Sequence, residues 1–186
     1  DADIDNNSNA ELLSVADLEN VPQIYTVTSG KAMAVNTTSG IDWLPIGILA
    51  QTDVEADVTF GIMGHGAGSY WLFDSDNRSF TPVADGTMLK MRANVHGRYY
   101  LTTVSSLHRE TNEGMACFSV GGNTIVISLP SVKIRDVYVY DLGGECVKSL
   151  HDVGQASCSI QASRGVYVVR VTVENGKTYV KKLAVN

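Results

Sequence analysis

The stretch that decides the fold is Gly165-Val166-Tyr167-Val168-Val169-Arg170-Val171-Thr172-Val173. In its second half, valines alternate with Arg170 and Thr172. Successive side chains of a β-strand point to opposite faces, so this alternation predicts a strand with one buried face and one wetter face. Tyr167, Val169, Val171 and Val173 belong to the predicted buried face.

The segment after this strand predicts a hairpin. Asn175-Gly176 is a pair that favours a type I′ turn, because Asn and Gly both accept positive φ. The run Thr178 to Val185 then supplies the partner strand, with Tyr179, Leu183 and Val185 on one face. We therefore expect the last part of the chain to be an antiparallel sheet with an apolar side.

Short runs of the same kind fill the chain from Gln23 onward, and its 17 Gly and 8 Tyr are typical of short strands joined by tight turns. This spacing predicts an all-β protein made of two consecutive Ig-like or jelly-roll-like antiparallel β-sandwiches. The predicted runs are Ile24 to Thr28, Lys31 to Asn36, Trp43 to Leu49, Val58 to Met63, Tyr70 to Phe73, Met88 to Arg92, Arg98 to Val104, Ala116 to Val120, Thr124 to Leu129, Val132 to Tyr140, Cys146 to Leu150, Ser157 to Gln161, Val166 to Val173 and Thr178 to Val185.

Charge and polarity divide the chain. Residues 1–20 hold six acids and no Lys or Arg, which accounts for the net charge of −6. We interpret them as an acidic linker with at most two helical turns. Leu107 to Met115 lacks apolar periodicity and predicts a second linker, which places the first sandwich at 21–113 and the second at 114–186. Because the chain starts at Asp1 without a Met or a leader, we expect either that a signal peptide has been removed or that the chain is a piece of a longer protein.

The charge balance also bears on partners. Outside residues 1–20, the remaining 14 acids are matched by 14 Lys and Arg with no basic stripe, which argues against nucleic acid as a partner. Trp43 to Ala50 is the longest apolar candidate, far short of the roughly 18 residues that a membrane span needs. We expect no nucleic-acid partner and no membrane span.

Metal, cofactor and catalytic signals are weak. Asp74 and Asp76 begin a calcium-like loop, but Arg78 occupies the next ligand position. The glycine-rich stretch from Gly61 to Gly68 lacks dinucleotide-binding spacing and predicts a flexible loop. No nucleophile elbow occurs, and no spacing among the histidines fits zinc; these are His65, His96, His108 and His151. We expect no metal, no cofactor and no catalytic residues, so the protein is predicted not to be an enzyme.

Three cysteines, Cys117, Cys146 and Cys158, cannot form a complete disulfide framework. Two interpretations stay open. One is a single bridge between Cys146 and Cys158, and the other is three buried thiols that act as small apolar side chains.

Four blocks in the last third of the chain resemble the C-terminal sorting domain of Bacteroidetes proteins exported by the type IX secretion system. They are Val137-Tyr138-Val139-Tyr140-Asp141-Leu142-Gly143-Gly144, Gly165-Val166-Tyr167-Val168-Val169-Arg170-Val171, Asn175-Gly176-Lys177 and Lys181-Lys182-Leu183-Ala184-Val185. Their order and spacing agree with the family. One departure is Glu145, since the family usually has Arg after the second glycine.

The resemblance implies a small Ig-like sandwich that the secretion machinery recognises, on a protein that passes through the periplasm and ends secreted or on the cell surface. It implies a non-catalytic export and surface-attachment function. The residues that it points to are Tyr140, Asp141, Leu142, Gly143, Gly144, Gly165, Val166, Tyr167, Val168, Arg170, Gly176, Lys177, Lys182, Leu183 and Val185. Residues 21–113 resemble, more loosely, the β-sandwich that often precedes such a domain.

An alternative function is an adhesin or carbohydrate-binding module. Aromatic faces on a β-sandwich can hold sugar rings, and the first predicted sandwich contains Trp43, Trp71 and Tyr99. In this interpretation those three side chains form a platform for a glycan or a host-surface ligand. The competing interpretation is that they pack in the core.

Overall fold

The computed structural model describes residues 10–12, 21–38, 41, 43–63, 69–103 and 115–185. All regular structure in these residues is β-strand, so the all-β prediction is confirmed. The chain divides into two compact units, which we call unit 1 (Asp1–Thr28 and Ala32–Ser106) and unit 2 (Ser29–Lys31 and Leu107–Asn186). The predicted boundary at 113/114 lies outside the described residues, as does most of the predicted acidic linker.

The first nine strands form a six-stranded sheet in the order β3-β2-β4-β9-β6-β7, with β1 added to β3, and a separate β5–β8 pair. The strands are β1 (Ala10–Glu11), β2 (Gln23–Thr28), β3 (Lys31–Val35), β4 (Leu44–Leu49), β5 (Glu55–Thr59), β6 (Tyr70–Asp74), β7 (Ser79–Val83), β8 (Met88–Arg92) and β9 (Tyr99–Thr102).

Both faces of the larger sheet in unit 1 carry fully buried side chains. On one face Ile48 and Leu72 pack with Val58 and Met91 of the β5–β8 pair. On the other face lie aromatic side chains, among them Phe73, which has no exposed surface. A sheet covered on both sides leaves few positions in the middle of a strand where a polar side chain is tolerated.

Unit 2 contains two antiparallel sheets, one in the order β14-β11-β10 and one in the order β13-β12-β15-β16. They share one apolar cluster drawn from both sheets, which is the arrangement of a β-sandwich. The strands are β10 (Ala116–Val120), β11 (Thr124–Ser128), β12 (Ile134–Tyr140), β13 (Cys146–Leu150), β14 (Ser157–Gln161), β15 (Gly165–Val173) and β16 (Thr178–Val185).

The alternation predicted along β15 is confirmed. Val169, Val171 and Val173 have no exposed surface, whereas Arg170 is exposed. Burying one such valine contributes about 1.5–3 kcal/mol relative to leaving it in water. The apolar side of β15 therefore fixes which face of its sheet points inward.

The turn between β15 and β16 differs from the predicted type I′ turn. Val173 N–H donates to Lys177 O at 3.0 Å and Gly176 N–H donates to Val173 O at 2.8 Å, so the loop has three residues. Only Gly176 in it has positive φ (85°), whereas a type I′ turn needs positive φ at both central residues. The loop is a type I turn followed by a glycine bulge, and Asn175 instead accepts a bond from Lys177 N–H through its side chain.

Three strand assignments from the sequence need correction. β7 was not predicted, because Pro82 weakens the strand signal; it lies at an end of its sheet, where a missing N–H is tolerated. β5 covers Glu55–Thr59 rather than Val58 to Met63. Ala10–Glu11, in the segment for which we expected a linker with at most two helical turns, pairs as β1 with β3.

All three cysteines are free thiols, so the Cys146–Cys158 bridge is wrong. Cys117 and Cys158 lie in or against the core, but Cys146 is exposed, so the alternative of three buried thiols holds only for two. Burial raises the pKa of the Cys117 thiol to about 12 and that of Cys158 to about 11. These two therefore remain protonated.

Candidate functional site

The outward side of the sheet β13-β12-β15-β16 carries a group of exposed and half-buried aromatic, basic and apolar side chains. We call it the open face and define it by Tyr138, Tyr140, Val168, Arg170, Val180 and Lys182. Strand pairing aligns them in two rows, which are Tyr138–Arg170–Val180 and Tyr140–Val168–Lys182. Because the residues between them on β12 and β15 point into the core, these side chains must point outward.

Arg170 joins the two tyrosines on this face. Its guanidinium carbon lies 4.7 Å from the centroid of the Tyr138 ring and 5.6 Å from that of Tyr140. The two tyrosine rings are stacked with centroids 6.4 Å apart and planes 23° apart. Cation–π contacts at exposed sites contribute about 0.5–1 kcal/mol each, so Arg170 orders the aromatic part of the face while staying exposed.

A series of polar side-chain contacts continues from Tyr138. The His151 ring meets the Tyr138 ring edge-on at 5.4 Å, and His151 Nδ1 lies 3.3 Å from Asp136 Oδ1. Arg135 Nε donates to Asp136 Oδ2 at 2.9 Å. The hydrogen bond from Arg135, followed by that from His151, lowers the pKa of Asp136, so this carboxylate stays ionised.

The structure separates the residues of the sorting-type blocks into three groups. Tyr140, Val166, Val168, Arg170 and Lys182 point to the outward side of the sheet. Leu183 and Val185 are buried in the core, and Tyr167 packs against it. Gly165 begins β15, and the remaining residues form turns: Asp141, Leu142, Gly143, Gly144, Gly176 and Lys177.

The Asp141–Glu145 turn has the same form as the turn after β15. Asp141 N–H donates to Glu145 O, Gly144 N–H donates to Asp141 O, and Gly144 has a φ of 84°. Asp141 Oδ1 accepts a further bond from Glu145 N–H at 3.0 Å. Leu142 at the tip is 69% exposed, so this turn presents an apolar side chain to solvent.

Tyr167 and Gly165 fit each other locally. The Tyr167 hydroxyl donates to Ser163 O at 2.9 Å, and a Cβ added at Gly165 would lie 3.2 Å from that hydroxyl oxygen. A side chain at Gly165 would therefore crowd the tyrosine. The roles of both residues are accounted for by packing.

The structure does not bring the three predicted platform aromatics together. Tyr99 is 4% exposed and packs in the core beside the β5–β8 pair. Trp71 points to the face of the sheet opposite that core. Trp43 contacts Phe73, with ring centroids 5.2 Å apart, and this contact also lies on the face opposite Tyr99. A platform made of Trp43, Trp71 and Tyr99 is therefore wrong, because a strand sends adjacent residues to opposite faces.

The carboxylates at the predicted calcium-like turn are engaged by a cation. Arg98 makes a two-pronged contact with Asp74, Nε to Oδ1 at 2.8 Å and Nη2 to Oδ2 at 2.7 Å, and Nη1 lies 3.2 Å from Asp76 Oδ2. The Asp74 hydrogen bonds are the largest cause of a raised pKa at Arg98. Arg98 thus pairs with both carboxylates and ties the turn to the segment before β9.

His96, a half-buried histidine in unit 1, makes a hydrogen bond that the sequence did not predict. His96 Nδ1 lies 2.7 Å from the Tyr25 hydroxyl, and the Tyr25 side chain is 1% exposed. Burial raises the pKa of Tyr25, so the hydroxyl remains the donor and His96 Nδ1 accepts as a neutral imidazole. Burial lowers the pKa of His96 from 6.5 to about 4.

This pair predicts a pH dependence of stability. An unfolded chain binds the His96 proton near pH 6.5 and the folded chain only near pH 4, so stability falls as the pH drops between these values. We expect unit 1 to lose about 3 kcal/mol over that window from this residue. The measurement is urea unfolding at pH 7 and pH 4.5 for wild type and His96→Gln. A variant that loses as much stability as wild type would contradict the prediction.

No family model matches the chain, and no curated protein matches it. Among the described residues, no helix is long and apolar enough to cross a membrane. His65, His108 and the glycines from Gly64 to Gly68 lie outside the described residues, as does most of the predicted linker from Leu107 to Met115.

Proposed function

We propose that the chain is a non-catalytic export and surface-attachment module whose unit 2 acts as a sorting domain of the type IX kind. In this proposal the chain is the tail of a larger bacterial protein that passes through the periplasm and ends secreted or on the cell surface. The sequence resemblance supports a role for unit 2 as the export signal. In this proposal the secretion machinery recognises unit 2 through the open face.

The observation that carries the proposal is that Tyr140, Val168, Arg170 and Lys182 share the outward side of one sheet, where Arg170 and Lys182 are exposed and Tyr140 and Val168 are half-buried. A residue kept only for folding points inward or shapes a turn, as Leu183 and Gly144 do. Arg170 does neither, because its side chain is exposed and its contacts are with the equally outward tyrosines. Aromatic and Arg side chains on a surface are the types that contribute most at protein interfaces.

A reporter fusion tests the proposal. We expect a periplasmic reporter followed by residues 1–186 to reach the surface or medium of a type IX-competent host. It should stay in the periplasm of an isogenic strain without the secretion pore. The measurement is the reporter fraction in periplasmic and external samples, with the reporter alone as control. Equal external fractions in the two strains would refute the sorting function.

The adhesin alternative lost its predicted platform, since Tyr99 is in the core. Trp43 retains one favourable feature, a half-buried ring packed on Phe73 with backbone φ of 54°, a conformation that few non-glycine residues adopt. Titration of the full chain with a glycan set separates the two functions. Binding that is lost in Trp43→Ala, without export of the reporter, would favour the adhesin.

A further inference from the structure

The last strand of unit 2, β16, has one edge at which the described residues place no strand, and we call it the free edge. Sheet order places β15 on one side of β16, and the described residues contribute no strand to its other side. β16 keeps register with β15 over eight residue pairs without a shift, from Gly165↔Val185 to Thr172↔Thr178. The opposite edge strand, β13, is shorter and contains a register shift. A long regular edge can accept a further strand, and native proteins usually block such edges.

The turn before β16 determines which backbone groups face the free edge. Val173 N–H donates to Lys177 O, so these two residues form a hydrogen-bonded pair. Antiparallel ladders alternate bonded and non-bonded pairs, and residues of non-bonded pairs point both backbone groups away from the partner. The outward groups of β16 therefore belong to Thr178, Val180, Lys182 and Ala184.

The charges of the side chains on this edge determine which charged residues an added strand can place opposite them. β16 contains two adjacent lysines, Lys181 and Lys182, and no acid. Both are exposed, and Lys181 Nζ donates to Met115 O at 3.3 Å. Val180, one position before them, is 62% exposed. A strand laid along this edge places its side chains opposite these three residues.

A second copy of β16 fits the edge poorly. An antiparallel pair of two β16 strands centred on residue 181 sets Lys181 against Lys181. When the centre of the pairing moves to residue 182, Lys182 lies against Lys182. Like charges directly opposite each other destabilise a ladder. Two adjacent acids, by contrast, would meet both lysines at once, one on each face of the extended sheet.

We propose that unit 2 binds its partner by strand addition, in which an extended segment with two consecutive acidic residues flanked by β-branched residues pairs with the free edge of β16. Backbone bonds to the four outward positions give affinity, and the paired lysines select the register. The inference rests on the proposed function in one respect, since the strand donor is taken to be a component of the export machinery.

Amide hydrogen exchange of the full chain tests the inference. The probe is a synthetic peptide, Thr-Val-Thr-Glu-Glu-Val-Thr-Val, and the control peptide has Lys-Lys in place of Glu-Glu. We expect saturating probe to slow exchange at Thr178, Val180, Lys182 and Ala184 at least tenfold, and the control peptide to leave it unchanged. Unchanged exchange with the probe would overturn strand addition.

Two sets of variants sharpen the test. Val180→Pro removes one outward N–H without removing a bond to β15, so it should abolish the protection, whereas Val180→Thr should keep it. Lys181→Glu with Lys182→Glu should reverse the preference, so that the Lys-Lys peptide protects and the probe does not. Protection by the probe that survives this reversal would also overturn the inference.

The reporter fusion separates the two proposals. Protection of the β16 amides without export of the wild-type reporter refutes the sorting function and leaves strand addition supported. Export of the reporter without protection refutes strand addition and leaves the sorting function supported.

Discussion

Val169→Asp is expected to unfold unit 2. Val169 has no exposed surface and lies at the centre of β15, opposite Val139 of β12 and Lys181 of β16. The carboxylate would enter an apolar cluster formed by both sheets, and burial of an unpaired charge costs several kcal/mol even after its pKa shifts. Small domains have about 5–15 kcal/mol of stability in total, so the loss is a large part of it.

The matched control is Arg170→Gln, one position along the same strand. Arg170 is exposed, and its loss removes only the contacts with the two tyrosine rings, at a cost of about 1 kcal/mol. Thermal unfolding followed by near-ultraviolet circular dichroism measures both variants. A Val169→Asp protein that melts within a few degrees of wild type would show that β15 is assigned to the wrong face.

Gly47→Ala is expected to destabilise unit 1 by about 3 kcal/mol or more. A Cβ at Gly47 would lie 2.5 Å from the Tyr25 ring carbon Cζ and would also clash with Tyr25 Oη, closer than van der Waals contact allows. Gly47 pairs directly with Tyr25 across β4 and β2. The ring cannot easily move aside, because it is buried and bonded to His96, and overpacking of a filled core typically costs 1–3 kcal/mol or more.

A double variant separates this clash from a general loss of backbone freedom. Tyr25→Leu removes the atoms that meet the new methyl group, so Gly47→Ala should cost much less in a Tyr25→Leu background than in wild type. Urea unfolding of the four proteins gives the coupling free energy. Additive effects, with no coupling, would contradict the predicted clash.

Sequence reasoning worked where one physical signal dominated. Strict alternation after Gly165 identified β15 and its buried valines, because a sheet with one wet face leaves a period of two in the sequence. β7 was missed since its Ser79-Phe80-Thr81-Pro82-Val83 mixes polar residues with a proline. Such an edge strand is recognised only from its pairing with β6.

The candidate functional site was likewise only partly predictable, because its contacts join residues from different strands. The sorting-type blocks were visible in the sequence, but they mix core, turn and surface residues, and only the register shows that Arg170 lies beside Tyr138. Strand parity was already enough to separate Tyr99 from Tyr100, which lies on the aromatic face with Trp43. The hydrogen bond between His96 and Tyr25 joins residues 71 positions apart in the chain, which no local pattern predicts.

The central claim is that the open face of unit 2 is read during export, and the Arg170→Gln reporter tests it most directly. Arg164→Gln, at an exposed arginine outside the open face, is the control. The measurement is the external fraction of each reporter in a type IX-competent host, alongside the melting temperature of each chain. We predict that Arg170→Gln lowers export at least tenfold while melting within a few degrees of wild type, and that Arg164→Gln does neither. Export of the Arg170→Gln reporter at the wild-type level would contradict the account.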